Sequence, residues 1–463
     1  MQFSPHTADD IERMLAVVLS DRGRGGGSLD APQVAGLDAL YDHIPDALRL
    51  QEPLALPAGR SEDEVLAALE DLAARNRTGA VCFAGGGAYD HYVPAAVGAL
   101  VSRGELLTAY TPYQPEVSQG VLQALFEFQT VISELTGLPV SNASLYDGGS
   151  AVAEAVAMAC AATRRTEVVL SQALDVPSRS VVATYGHPLG RQVRVVGYDG
   201  VSGRTPVGAL AGEPACVVIQ QPNGLGVVED VRAHAEAAHA AGAQLIVKWD
   251  PTAAGLLARP GDQGADLVVG EGQGLGQGLT YGGPTFGFLA CTAAQVRRIP
   301  GRIVGRTADT AGRTGYVMTL RAREQDIRRE RATSNICTNQ TLNALAALVH
   351  LTWLGPQGLH ELASACLSRS SAALRRLTAI PGVERAVGGP VLKEFALRVP
   401  GDPATLVAAL HERGYLVGPV VADGPAAGAV LVAVTERRTA DQVEGLARAL
   451  EELLRQRPGR AVA

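Results

Sequence analysis

The stretch that decides the fold runs from Gln244 to Cys291: QLIVKWDPTAAGLLARPGDQGADLVVGEGQGLGQGLTYGGPTFGFLAC. Leu245, Ile246 and Val247 form a short apolar run of the kind that makes a buried strand. The strand carries Lys248 and ends at Asp250-Pro251. Asp266, Leu267, Val268 and Val269 read as a second strand, followed by a glycine-dense turn from Gly270 to Gly278. Gly282-Gly283-Pro284 and an apolar run from Phe286 to Cys291 close the stretch. An acid at a strand end, then a second strand and a glycine turn, is the skeleton of a pyridoxal phosphate site. There the acid pairs with the pyridinium nitrogen and a lysine in the later turn forms the Schiff base. Where that lysine is wanted, this turn holds Gln273 and Gly274, and neither can supply the primary amine the chemistry needs.

Outward from this stretch the pattern alternates. Strands are expected at Val168–Leu170, Val193–Val196, Cys216–Gln220, Leu245–Trp249 and Leu267–Val269, with the helix Val231 to Ala241, ended by Gly242, between two of them. That βαβ arrangement implies an α/β fold with a mainly parallel sheet. In such sheets ligands lie beyond the carboxyl ends of strands, where Gln220, Gln221, Asn223 and Asp250 fall. Thr338 to Leu354, ended by Gly355-Pro356, reads as a long helix leaving the large domain. A smaller α/β domain follows, with strands Glu394–Val399 and Val430–Val434 and helices Pro403–Arg413 and Ala440 to Leu454. The expected domains are a helical N-terminal arm over 1–80, a large domain over 81–337, and a linking helix with a small C-terminal domain over 338–463. In the arm, Ile11, Met14, Leu15 and Val18 recur at helical spacing, Arg22 to Ser28 is a glycine-rich insertion, and Glu62 to Arg75 is a second amphipathic helix.

Three further segments stand out. Thr108 to Gln119 gathers Tyr110, Tyr113 and Glu116 between Pro112 and Pro115, just before a helix from Gly120 to Thr136; such a stiff aromatic loop reads as a pocket wall or as a packed turn. Asp147-Gly148-Gly149-Ser150 opens the alanine-rich helix Ala151 to Thr163, and reads as a phosphate cradle or as an ordinary cap. Leu320 to Arg331 is arginine-rich, with Glu324, Asp326 and Glu330 interspersed, and reads as a solvated or interface helix.

Composition narrows the function classes. The 463 residues are 47% hydrophobic with a net charge of -7, which supplies ample core and disfavours nucleic acid as a partner. The six cysteines show no paired spacing and read as free thiols of a reducing compartment. No apolar window approaches membrane-spanning length, so a cytoplasmic chain with no membrane or metal partner is expected. Only two lysines occur, Lys248 and Lys393. Lys248 lies two residues before Asp250 on the same strand face, where one side chain cannot easily serve both ends of a cofactor ring; pairing with a buried acid is expected of it. Lys393 has no local signal and reads as structural.

Tyr110-Thr-Pro-Tyr-Gln-Pro-Glu-Val-Ser-Gln-Gly120, Ser141 to Gly148, Arg323-Glu-Gln325, Ile327-Arg-Arg329 and Ser334-Asn-Ile-Cys337 resemble the glycine-cleavage P protein, subunit 1 of its split bacterial form, over nearly the whole chain. The resemblance implies the fold-type I (aspartate aminotransferase-like) architecture and a heterotetramer of two alpha and two beta subunits. It implies decarboxylation of glycine on pyridoxal phosphate held by the beta subunit, with the aminomethyl group passing to the lipoyl arm of the H protein. It also implies why the anchor is missing: Gln273 and Gly274 align with the beta subunit's His-Lys pair, and Ser150-Ala151-Val152 stands where beta carries a ring-stacking histidine. The chain is then a pseudo-active subunit without covalent cofactor, with Asp250, Gln273 and Ser150 as a vestigial site. Tyr110, Tyr113 and Glu116 are the residues expected to reach the partner's pocket. Two alternatives are a scaffold or docking subunit that contributes nothing to that pocket, and a stand-alone pyridoxal phosphate enzyme using Lys248.

Overall fold

The computed structural model describes residues 10, 13–14, 43–50, 52, 54–109, 112–209, 212–320 and 332–456. Ile11, Leu15 and Val18 of the first expected helix, the glycine-rich insertion, Tyr110 and the arginine-rich segment 321–331 lie outside the described residues. The chain divides into two compact units, Met1–Asn76 and Arg77–Ala463. In the first, α1 (Glu62–Ala74) begins at a capping box. The Ser61 hydroxyl accepts from the Glu64 amide, and the Glu64 carboxylate accepts from the Ser61 amide at 2.8 Å.

The second unit is built on a seven-stranded sheet. A separate strand, β1 (Val81–Ala84), comes first; the sheet strands are β2 (Val140–Ser141), β3 (Glu167–Ser171), β4 (Gln192–Val196), β5 (Cys216–Gln221), β6 (Gln244–Trp249), β7 (Leu267–Glu271) and β8 (Gly287–Cys291). Their spatial order is β2-β8-β7-β6-β5-β3-β4. From β7 to β4 all neighbours are parallel; β8 and β2 complete one side antiparallel. Parallel pairs need crossovers, and those helices cover both faces, which is why β5 is buried at every residue and β6 from Leu245 onward. Alternation then sorts the side chains. Val217, Ile219, Leu245 and Val247 share a core with Leu122, Leu125, Phe128 and Ile132 of α2 (Gln119–Thr136). Val218, Ile246 and Val269 pack with the alanine-rich α3 (Gly148–Thr163) on the other face. Lys248 has the parity of Ile246, so its side chain leaves β6 on the α3 face.

The mainly parallel α/β sheet expected from the sequence is therefore present. After the hairpin β9 (Ile303–Ala308) and β10 (Thr314–Thr319), the long helix ends at Gly355-Pro356 as expected. Gly355 (φ 61°, ψ 179°) breaks the helical path, but a second run starts at once and continues to Thr378. Proline in the first turn of a helix forfeits no hydrogen bond, so the signal that ends one helix also opens the next. The C-terminal part carries a three-stranded antiparallel sheet of β11 (Glu384–Arg385), β12 (Glu394–Arg398) and β14 (Val430–Ala433), while β13 (Tyr415–Gly418) pairs in parallel with β1. Among the described residues no helix is long and apolar enough to cross a membrane.

Candidate functional site

β6 delivers Asp250 at its carboxyl end. Pro251 starts a short turn, and both the amide and the hydroxyl of Thr252 donate to Asp250 Oδ1, at 3.0 and 2.7 Å. The other oxygen, Oδ2, lies 2.6 Å from the Nζ of Lys393, which enters from just before β12. The Lys393 ammonium also donates to Thr252 Oγ1 at 2.9 Å and reaches His91 Nε2 at 3.0 Å, so its three N–H groups meet three acceptors. The Tyr89 ring lies 3.9 Å from the same nitrogen. Because His91 Nε2 accepts, its Nδ1 carries the proton and donates to Glu436 at 2.7 Å. Burial alone would raise the Asp250 carboxyl, but the Lys393 charge and the hydrogen bonds from Lys393 and Thr252 outweigh it and hold Asp250 below its ordinary value. Lys393 carries no local sequence signal; the structure sets it against the acid that a pyridinium nitrogen would use.

Lys248 lines the same cavity but meets a different acid. Its Nζ is 2.5 Å from Asp175 Oδ2 and 2.9 Å from Ser178 Oγ. Asp175 caps α4 (Val176–Gly186), accepting from the Ser178 amide at 2.9 Å. Gln220 Oε1 accepts from the Asp175 amide, so Gln220 stands behind this pair, whereas Gln221 and Asn223 bond to Glu229.

The glycine turn is held shut by its own glutamine. The buried Gln273 accepts from the Tyr89 amide at 2.9 Å and donates to the carbonyls of Tyr89 and Gln277. A Cβ at Gly274 would come within 3.2 Å of His91 and 3.3 Å of Thr252, so any side chain there would head for the Lys393 cluster. At the start of α3 the Ser150 amide is taken by the Asp147 carboxylate at 2.7 Å, in a capping box. The Gly148 amide donates to Glu271 Oε2 at 2.9 Å. Burial raises the Glu271 pKa. Between these groups remains a cavity of about 40 Å³, room for a few waters. Pyridoxal phosphate does not fit this donor set: its ring-nitrogen acid is already paired, two of the α3 amides already have carboxylate acceptors, and no amine stands in the turn.

Of the three loop residues expected at a partner's pocket, the two described, Tyr113 and Glu116, do not line this chain's own cavity. Tyr113 is half-buried; its hydroxyl donates to Asn339 Oδ1, with Thr341 Oγ1 at 2.9 Å, and the Arg302 guanidinium sits 4.0 Å from its ring centroid. Asn339 Nδ2 donates to Ser144 Oγ at 2.7 Å, and the Cys337 amide donates to the Tyr146 hydroxyl at 3.2 Å. Three separate motifs, around Tyr113, Ser144 to Tyr146 and Cys337, are thereby tied together, and none of these residues lines the Lys393–Asp250 cavity. Glu116 is exposed.

The fold defines an α/β protein of the fold-type I pyridoxal phosphate class. A sphingosine-1-phosphate lyase of Burkholderia pseudomallei, 16% identical, shares the fold with a TM-score of 0.62 over 89% of this chain and 94% of that one. Within that class the chain belongs to the glycine cleavage system P-protein family, whose model matches residues 28–450. It is 46% identical over 454 residues to a probable glycine dehydrogenase (decarboxylating) subunit 1 of Desulforamulus reducens, covering 96% of this chain and 98% of that protein. It is 45% identical over 458 residues to the corresponding protein of Geotalea daltonii, covering 98% and 100%. A crystal structure of glycine decarboxylase (P-protein) of the glycine cleavage system, in inhibitor-bound form, matches with a TM-score of 0.89 and 43% identity over 98% of this chain and 100% of that chain.

Proposed function

We propose that this chain is the alpha subunit of a cytoplasmic glycine decarboxylase whose cofactor sits in a separate, lysine-bearing beta subunit. Together the two decarboxylate glycine and pass the aminomethyl group to the lipoyl arm of the H protein. The relatives' designation as subunit 1 supports a second subunit. The observation that carries the reading is the Lys393–Asp250 pair, which uses up the acid a cofactor ring would need, in a chain whose glycine turn offers Gln273 and Gly274 instead of an amine. The pairing of Lys248 with Asp175 counts against a stand-alone enzyme, since that amine is held as a buried ion pair. The role of this chain is then to wall the partner's pocket, with Tyr110, Tyr113 and Glu116 contributed from one loop. Because the Tyr113 hydroxyl proton is used internally on Asn339, Tyr113 shapes the loop and the exposed Glu116 faces the partner.

Co-expression with the candidate beta subunit, followed by glycine-dependent carbon dioxide exchange for each subunit alone and together, tests the reading. Exchange is expected only from the pair. Glu116→Ala and Tyr110→Phe should lower turnover while leaving the complex assembled on gel filtration. Full exchange by this chain alone, or unchanged kinetics in both variants, would defeat it.

A further inference from the structure

Of the 40 lysine-plus-arginine residues in this chain only two are lysines, and both are buried in one cavity, each against its own carboxylate. Everywhere else a basic side chain is arginine. Lysine differs from arginine in presenting a compact point charge in place of a planar fork. At position 393 that compactness is used: one nitrogen meets Asp250, Thr252 and His91 at once, over the Tyr89 ring. A protonated ring nitrogen would present the same N–H to the same oxygen of Asp250. At the other end of the cavity the Glu271 carboxylate accepts from the Gly148 amide at the start of α3, where a phosphate oxygen would accept. Of the first amides of the 16-residue α3, that of Gly148 meets this carboxylate and that of Ser150 meets the Asp147 carboxylate.

We infer that Lys393 and Glu271 are internal ligands: an ammonium in place of a pyridinium and a carboxylate in place of a phosphate, which together keep the slot closed to cofactor and fasten the C-terminal part of the chain over it. Lys393 and its neighbour Glu394 both come from the C-terminal part. Glu394 accepts from the Gly86 amide at 2.7 Å and from the Tyr89 hydroxyl at 2.8 Å. Arg179 of α4 makes a bidentate pair with Asp423, at 2.9 and 3.1 Å, in a second cavity that Asp175 also lines. The clasp thus ties β6, the Gly86–His91 segment and α4 to the elements that follow α5 (Thr341–Thr378). It holds one closed arrangement where a working cofactor site must open for substrate. The inference deepens the proposed function and rests on its claim that this chain carries no working cofactor.

The test uses the full chain and pyridoxine 5′-phosphate, which has the ring and the phosphate but no aldehyde, so its binding needs no amine. The wild-type chain is expected to give no saturable binding and no shift in Tm. The Lys393→Ala/Glu271→Ala variant, with both internal ligands removed, should melt lower and recover part of the loss when the ligand is added. Amide exchange along Glu394–Arg398 should quicken in the variant. Should the variant not fold, the wild type still decides: reductive methylation of the native chain should leave both lysines at least about tenfold less modified than after unfolding, since they react only through opening. Lysines that label as fast as in the unfolded chain, or a folded variant with unchanged exchange and no ligand response, overturn the clasp alone. A wild-type chain that takes up pyridoxal phosphate with a visible absorption band overturns the proposed function as well.

Discussion

The two lysines show what single residues reveal and hide. That Lys248 would seek a buried acid follows from its place inside an apolar strand, because a charge there is costly unless paired. Which acid it meets could not be read, since Asp175 caps a helix on a neighbouring crossover. Lys393 was illegible: it sits in a short connection before β12, and only tertiary folding carries it to Asp250. His350 was missed for the same reason. It is buried on α5 with neither ring nitrogen hydrogen-bonded among the described residues, and burial, with the nearby His91, lowers its pKa to about 4. The unfolded chain takes up this proton near pH 6.5 and the native chain only near pH 4, so the folded state loses stability as pH falls through that window and recovers it above. The loss reaches about 3 kcal/mol by pH 4, at 1.36 kcal/mol per unit. His350→Leu should remove it: urea midpoints of variant and wild type should diverge steadily from pH 7 to pH 4, and parallel curves would contradict the assignment.

At the scale of elements, the strand, glycine turn and strand around Asp250 were readable because period-two alternation and glycine clusters are local signals. Their closeness of packing was not. A Cβ on Gly270 would fall 2.3 Å from both the Trp249 carbonyl and the Phe288 ring, and one on Gly272 would fall 2.0 Å from Phe286, so these glycines are fixed by contact with β6 and with the β8 region. Gly274 is different, since its nearest neighbours, at 3.2 and 3.3 Å, are the His91 and Thr252 side chains. Replacing it looks like the obvious repair of the missing anchor. Gly274→Lys should nevertheless leave the protein colourless with added pyridoxal phosphate, because the new ammonium would enter a cluster where Lys393 already holds Asp250. The double variant Gly274→Lys/Lys393→Ala should take up more cofactor than either single variant, read as absorbance per chain after desalting. A visible band in the single variant would show that Lys393 does not block the slot.

Across the whole molecule, the junction between the sheet and the C-terminal part is made of buried carboxylates, which couples its closure to acidity. Glu436, beyond β14, accepts from His91 and from the Tyr92 amide. Burial would raise its pKa, but those bonds bring it from 4.5 to about 2. A group with a lowered native pKa contributes stability that is complete above its unfolded value and disappears as pH falls through the native one. For Glu436 that window runs from about 4.5 to about 2 and is worth about 3 kcal/mol. Asp175 and Asp250, both lowered, act in the same sense. Glu271 and Glu394, both raised by burial, act in the opposite sense: they hold protons in the native state to higher pH and cost stability as pH rises through their native values. With two lowered groups, Asp250 and Glu436, across the junction, acid should loosen the C-terminal sheet from the seven-stranded sheet before either core melts. Amide exchange at pH 3 should therefore rise first along Val81–Ala84 and Tyr415–Gly418, the parallel pair beside the junction, while Leu245–Val247 stays protected. The Glu436→Gln variant, lacking that titration, should show a flatter fall in urea midpoint between pH 4.5 and pH 2. A steep fall retained in the variant, or simultaneous loss of protection in both sheets, would place the acid sensitivity elsewhere in the fold.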